Sequence, residues 1–340
     1  MIEIARLFFQ FDHFHGAKSI GSGNINDTYQ LEFELDGVPQ RVLFQRLNHL
    51  VFKQPELVTA NTLLVCQHLS AQDYPYQIAR PLPAQDGSWM RKDADGNYWR
   101  AFSFIENSFT PEGTTDPHIA YEAARAYGAF SRALSNFPAQ SLAETIPGFH
   151  DTDRRWDVFL KVIKADPVHR VQDSQQEISA MFAAKPVFDR ISHLKSSGEL
   201  PLRVAHNDTK AGNVLFDQTT KKALAVIDLD TVMPGTLLSD FGDMVRTFAP
   251  DQAEDSIQKP SLRPDVLEAL TKGFLEETGS FLTQIERENL MLGAAWMIGE
   301  QALRFLTDWL AGDVYYKISS PHHNLVRAQN QLALFGMYDV

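Results

Sequence analysis

Between residues 29 and 35 apolar and polar positions alternate: Tyr29, Leu31, Phe33 and Leu35 against Gln30, Glu32 and Glu34. A period of two predicts a half-buried strand. Asp36-Gly37 follows, a pair that accepts the positive φ angles of a tight hairpin, and residues 41–47 read as the returning strand. Two more strands, 88–92 and 98–104, flank Asp93-Ala94-Asp95-Gly96-Asn97. A calcium loop would need glycine at the sixth position and glutamate at the twelfth, where Tyr98 and Phe104 stand, so this acidic stretch predicts a hairpin turn. A helix over 56–69 interrupts the strands.

Beyond about residue 107 the apolar spacing becomes helical. Helices are predicted over 119–134, entered from Asp116-Pro117, and over 154–165, 175–194, 264–278 and 283–310. Thr283 and Glu286 form a capping box at the start of the last. A short strand pair, 213–216 and 223–227, is embedded among them. The pattern predicts an α+β protein with a small β-rich N-lobe over residues 1–105. A larger, mainly helical C-lobe over 106–340 follows, joined through a linker near 104–108.

Bulk properties narrow the class. Hydrophobic residues make up 44% of the 340 and charged residues 22%, enough apolar material for a large core. The net charge of -12 argues against sequence-independent nucleic-acid binding, which needs a basic footprint. Cys66 is the only cysteine, which excludes an internal disulfide and a multi-cysteine zinc site. The N-terminus has no basic segment followed by an apolar run, so no signal peptide is expected. The most apolar stretch, 290–298, is roughly half of what a membrane-spanning helix requires. A cytoplasmic protein with no membrane partner is the expectation.

Chemistry concentrates in one loop. Between Arg203-Val204-Ala205 and Val214-Leu215-Phe216 runs the polar segment His206-Asn207-Asp208-Thr209-Lys210, and Asn213 stands five residues after Asp208. Asp228, fifteen residues after Asn213, closes the apolar strand 223–227. Phosphoryl transfer uses such parts. One carboxylate orients the attacking hydroxyl and accepts its proton, while a carboxamide and a second carboxylate hold Mg2+ against the phosphates. Hard cations take oxygen ligands, which Asn213 and Asp228 provide. An aspartate at a strand end is by itself commonly a turn former. The ordered set on a strand-loop-strand frame is far more specific, and it makes Asp208 the candidate base. Lys210 reads either as a cation for the transferring group or as a surface lysine.

The stretches PLRVAHNDTKAGNVLFD, AVIDLDTVMPG, SDFGDMVR and GSGNINDTY carry a resemblance, joined near the C-terminus by RFLTDWLAGDVYY and PHHNLVR. They resemble the aminoglycoside phosphotransferase and choline kinase group of small-molecule kinases, and within it the N-acetylhexosamine 1-kinases. The resemblance spans most of the chain. It implies the protein-kinase-like two-lobed fold and ATP-dependent phosphorylation of the anomeric hydroxyl of a sugar, with Asp208 as base and Asn213 and Asp228 on Mg2+. It also implies that Arg304 and Tyr315 contact the sugar, and that Asn24 and Thr247 border it. The family pattern has histidine at the place of Asn24 and phenylalanine at the place of Thr247. A protein kinase is disfavoured, because only a dozen residues separate Asp228 from Asp240 and leave little room for an activation segment.

On the nucleotide side, Gly21 and Gly23 in GSGNIN sit between strands, where their amides would cover phosphates; a plain glycine hairpin is the other reading. No helix follows, which excludes a Rossmann turn. Most kinases of this fold place a lysine on the third strand, and here the matching residue is Gln45, followed by Arg46. Adjacent strand residues face opposite ways, so the sequence leaves open which of the two reaches the phosphates. The adenine is expected on linker backbone near Phe104 and Ile105. Asp230 reads as a second metal contact or, more simply, a turn cap. Asp240 reads as a hydrogen-bonding anchor for the loop, Asp243 and Arg246 as a helical i,i+3 pair, and Glu300 with Arg304 as an i,i+4 pair. Two rivals remain at this point: a kinase for another small alcohol, and a non-catalytic nucleotide-binding module, which Gln45 keeps in play.

Overall fold

A computed structural model of the chain describes residues 1–20, 25–111 and 116–338. Gly21, Gly23 and Asn24 therefore lie outside the described residues. After α1 (Ile2–Ala5), an antiparallel sheet is built from β1 (His13–Ser19), β2 (Asp27–Leu35), β3 (Val38–Leu47), β4 (Pro81–Leu82), β5 (Arg91–Lys92) and β6 (Tyr98–Ser103), with α2 (Pro55–Ser70) between β3 and β4. The order is β1-β2-β3-β6-β4, and β5 pairs with β6.

The alternation in β2 buries Leu31 and Phe33 and leaves Glu32 in solvent. Asp36 and Gly37 both adopt positive φ, and Leu35 pairs with Val38 across them, as the tight turn requires. The strand predicted over 88–92 shortens to two residues. Ser88 donates through both its amide and its hydroxyl to Asp86, so a side-chain turn replaces ladder bonding there. In the acidic turn, Asp93 accepts from the amides of Asp95 and Asn97 and from Trp99 Nε1, which spends the carboxylate on the hairpin itself.

After β6, the short β7 (Ser108–Phe109) leaves the first sheet and pairs with a strand of the helical part. That part contains α3 (Pro117–Ala133), α4 (Thr152–Ala165), α5 (Gln175–Ser196), β8 (Arg203–Ala205), β9 (Val214–Asp217), β10 (Ala223–Val226), β11 (Met233–Gly235), α6 (Leu237–Phe248), α7 (Pro264–Thr278), α8 (Gln284–Glu288), α9 (Leu290–Ala311) and α10 (His323–Phe335). Asp116 caps α3 by accepting from the amide of Ile119 at 2.9 Å.

Sequence periodicity predicted one helix over 283–310, and the structure has two. The capping box of Thr283 and Glu286 is present, but it opens only α8. At Asn289 the backbone leaves helical geometry, with φ -108° and ψ 15°, and the side chain bonds back to the Ile285 carbonyl. A side chain that competes with the ladder is a common cause of such breaks. α9 then starts afresh and runs through the C-lobe core, burying Trp296, Leu303, Phe305 and Leu306 against α4, α5, α6 and α10. Each such side chain contributes roughly 1.5–3 kcal/mol on burial. No helix among the described residues is long and apolar enough to cross a membrane.

Candidate active site

The loop between β8 and β9 is held from three directions. Asp240, in the first turn of α6, accepts from the amides of His206 and Asn207, each at 2.8 Å. The Asp240 carbonyl takes the Thr209 hydroxyl at 2.6 Å. Tyr127 of α3 donates to the Lys210 carbonyl at 2.8 Å. From the far side, Thr231 donates to the His206 carbonyl and Asn207 donates to the Thr231 carbonyl. Asp240 thus anchors the loop, as expected from the sequence. Burial pushes its carboxyl up to about 7 against the pull of the two amides.

His206 is buried, with its ring edge-on to Tyr127 and Phe130. Its Nε2 donates to the Ile227 carbonyl at 3.0 Å, and the Ile227 amide donates to the Asn213 carbonyl at 2.9 Å. The β9–β10 register pairs Val214 with Val226, so Asn213 stands opposite Ile227 and Asp228 follows directly. In this way the sequence-distant Asp208 loop and Asp228 become one unit. Asp228 adopts a left-handed backbone, φ 62°, a conformation that aspartate tolerates better than most residues.

Asp208 Oδ2 accepts from Lys210 Nζ at 2.7 Å and from Asn213 Nδ2 at 2.8 Å. Burial alone would raise the Asp208 carboxyl, but Lys210 overcomes it, with His206 and Asn213, and holds the group below the ordinary carboxylate range. Asp228 goes the other way. Protein packed around it, and then the Asp230 and Asp208 carboxylates, push its carboxyl up to about 7. Asn213 spends Nδ2 on Asp208, so its carboxamide oxygen is the atom left to act as a ligand. A carboxamide oxygen and a crowded carboxylate form a donor set that suits a hard divalent cation.

On the N-lobe side Gln45 and Arg46 face opposite ways. Arg46 points outward and pairs with Asp27. Gln45 is buried and points toward the C-lobe, donating to Thr28 and accepting from Arg100 Nε at 2.9 Å. Arg100 pairs in turn with Asp230. Asp230 also accepts from Asn26 at 2.7 Å. The Asp230 carboxylate thus ties the two lobes together, a role that neither sequence reading of it named. Ile105 is buried and its carbonyl accepts from the Ser108 hydroxyl, while Phe104 is half-buried beneath Arg41.

On the opposite side lies a group of arginines. Arg246 pairs with Asp243 at 2.8 Å, as its helical spacing predicted, and also with Glu254 at 3.1 Å, and Arg327 shares that glutamate. The expected Glu300–Arg304 pair does not form. Glu300 turns to His150 at 2.8 Å, to Thr152 and to Arg155 at 3.6 Å, and these groups hold its carboxyl down at about 2 despite burial. Among the described residues Arg304 hydrogen-bonds Gln301, and it lies near the Phe149 and Tyr316 rings, 5.8 and 5.5 Å from their centroids. Tyr315 is 70% exposed, and it is Tyr316 that packs against Arg304 and Phe305. Thr247 sits half-buried on α6 with its hydroxyl on the Asp243 carbonyl. Sequence reasoning passed over Arg100, His150, Glu254 and Tyr316. For Arg100 a signal existed, since it lies directly opposite Gln45 once the β3–β6 register is drawn.

A β-rich lobe, a helical lobe and an anchored acidic loop facing the junction define the protein-kinase-like fold. Residues 16–282 match the model of the phosphotransferase enzyme family, and the chain belongs to that family. Among solved structures it is similar to a microcompartment-associated aminopropanol kinase, with TM-score 0.68 and 19% identity over 99% of this chain and 97% of that one. A spectinomycin phosphotransferase in complex with ADP and spectinomycin matches at TM-score 0.59 and 15% identity, over 99% and 96%. Choline kinase from Cryptosporidium parvum matches at 0.55 and 15%, over 99% and 93%. At these identities the likeness is one of fold.

Proposed function

We propose that the protein transfers the γ-phosphoryl group of ATP to the anomeric hydroxyl of an N-acetylhexosamine or a closely related sugar. In this reading Asp208 orients the sugar hydroxyl through Oδ1, because Oδ2 is committed to Lys210 and Asn213. A carboxyl held below the ordinary range is a weak base. Its main work is alignment, and it takes the proton late, as the new O–P bond forms and the bond to the departing ADP oxygen breaks. Lys210 balances the charge of Asp208 and faces the transferring group. Asn213 and Asp228 would hold Mg2+, which neutralises phosphate charge when bound. The backbone near Phe104 and Ile105 receives the adenine.

The observation that supports a sugar over a cationic acceptor is Arg304. It has no carboxylate partner within ion-pair distance among the described residues, whereas Arg246 has two and Arg327 has one. A quaternary amine or an aminoglycoside would meet an uncompensated cation there. A neutral polyol meets a fork of N–H donors. Thr247, whose hydroxyl is spent on its own helix, offers no aromatic face, so discrimination among sugar epimers should be loose.

Phosphorus NMR of the products from N-acetylglucosamine, N-acetylgalactosamine, glucose and galactose tests the assignment. An anomeric phosphate supports it. A phosphate on a primary hydroxyl would remove the 1-kinase reading. Turnover of 1-amino-2-propanol or choline with none of any reducing sugar would establish the amino-alcohol alternative instead.

A further inference from the structure

We infer that Arg100 is the phosphate-binding cation of the N-lobe, supplied from β6 because β3 carries glutamine where a cation is needed. The inference rests on the ATP-dependent reading above and deepens it.

Gln45 and Arg100 are direct partners in the β3–β6 register, so their side chains share one face of the sheet. That face looks toward the C-lobe, because Arg100 reaches Asp230 there. Arg100 is only 3% exposed, an unusual state for a guanidinium. Its Nε and Nη2 bond the Gln45 carboxamide oxygen at 2.9 and 2.5 Å, and Nη2 also bonds Asp230. Nη1 is buried and has no hydrogen-bond partner among the described residues. Buried charged donors are seldom left without an acceptor, and an orphan of this kind points to a ligand.

The location identifies the ligand. Asp230 lies two residues after Asp228, so Arg100 stands beside the proposed Mg2+ ligands rather than on an outer face. The neighbouring cations are engaged elsewhere: Arg46 turns outward to Asp27, and Lys210 is bonded to Asp208. Gln45 and Asp230 fix the guanidinium plane from two sides and leave Nη1 without an acceptor among the described residues. A phosphate oxygen is the acceptor that planar guanidinium groups match well. Gln45 is thereby explained. It carries no charge itself, and it positions the arginine that does. A bare interlobe clamp would account for the Asp230 pair but not for a buried Nη1 that finds no acceptor among the described residues.

Binding to the full-length protein, with Mg2+, separates these roles. Calorimetry would compare adenosine, ATP and inorganic tripolyphosphate in wild type, Arg100→Met and Arg100→Lys. Charge-assisted hydrogen bonds of this kind correspond to roughly a 10- to 100-fold change in affinity. Arg100→Met should lose about that much for ATP and for tripolyphosphate, with adenosine changed less than about twofold. Arg100→Lys, which keeps the charge, should recover part of the loss. Moving the cation to β3, in Gln45→Lys combined with Arg100→Met, should also restore tripolyphosphate binding. Equal losses for adenosine and ATP in both Arg100 variants would show a clamp and overturn the inference. Undiminished tripolyphosphate binding by Arg100→Met would overturn it too, leaving the ATP reading intact. Wild type that binds tripolyphosphate through Arg100 but not adenosine would remove the adenine nucleotide and keep the phosphate site.

Discussion

Gly242 of α6 and Gly293 of α9 meet backbone to backbone: a β-carbon added at Gly242 would overlap the carbonyl group of Gly293. A β-carbon at Gly293 would in turn strike the Leu238 carbonyl oxygen. Two glycines thus set how closely α6 approaches the central helix, and α6 carries Asp240, the anchor of the loop that holds Asp208.

Gly242→Ala should therefore be destabilising although alanine is the better helix former. Overpacking against backbone that cannot rotate away costs about 1–3 kcal/mol or more. Gly212→Ala, whose added β-carbon meets nothing within 4 Å, is the stability control. Thermal unfolding should show a drop of several degrees for the first and little change for the second. Equal midpoints would mean that the helices can separate at no cost, and that their spacing is not set here.

Much of this arrangement was readable from sequence where the determinant is local. Period two in β2, Asp36-Gly37 and the capping box of Thr283 each act within a few residues. What escaped depends on contacts between distant segments. Glu300 pairs with His150, 150 residues away, rather than with Arg304 one turn along its own helix. Arg46 faces out and Gln45 in, a choice between two polar neighbours that alternation alone cannot make. Arg100 is a charged residue buried among apolar neighbours in β6, and its partner Asp230 lies 130 residues away. Tyr315 and Tyr316 differ in position by one residue at the end of a loop that Asp308 fixes through three amides, a geometry that periodicity does not encode.

Asp208→Asn should abolish turnover and leave ATP binding nearly intact. In the proposed role the carboxamide would keep the size of the side chain but could not accept the hydroxyl proton, and the nucleotide would lose no contact. Loss of such a group typically lowers the rate by ~100- to 10,000-fold. Steady-state ADP release, set beside ATP affinity, separates the two effects. A variant retaining more than about a tenth of wild-type turnover, well above that range, would remove Asp208 from its role.

Acid stability should depend on Glu300. Its carboxyl is held at about 2 in the folded protein, by His150, Arg155 and Thr152 against the effect of burial. A depressed carboxylate stabilises the fold above the unfolded value near 4.3, and that contribution is lost as pH falls toward about 2. The gap corresponds to about 3 kcal/mol, of which most disappears between about pH 4.5 and pH 2. Glu300→Gln should be less stable than wild type at pH 7 and should lose less on acidification. Parallel acid limbs in denaturant titrations from pH 7 to pH 3 would show that this buried cluster does not govern acid unfolding.

Asp228→Ala should fail in a way that Asp208→Asn does not. Asp228 follows Ile227, which stands opposite Asn213, and it faces two other carboxylates, Asp230 and Asp208. A divalent cation would relieve that crowding, so in the proposed role removing Asp228 would remove both a ligand and the reason for a cation to settle there. The variant should bind ATP with the same affinity whether Mg2+ is present or absent, while wild type binds more tightly with the ion. Turnover, if any remains, should require far higher Mg2+ concentrations. Asn213→Ala should give a weaker version of the same pattern, because a neutral oxygen contributes less to a divalent ion than a carboxylate does. Calorimetry of ATP with Mg2+ and with chelator decides the matter: an Asp228→Ala protein with wild-type Mg2+ dependence would place the ion on other residues.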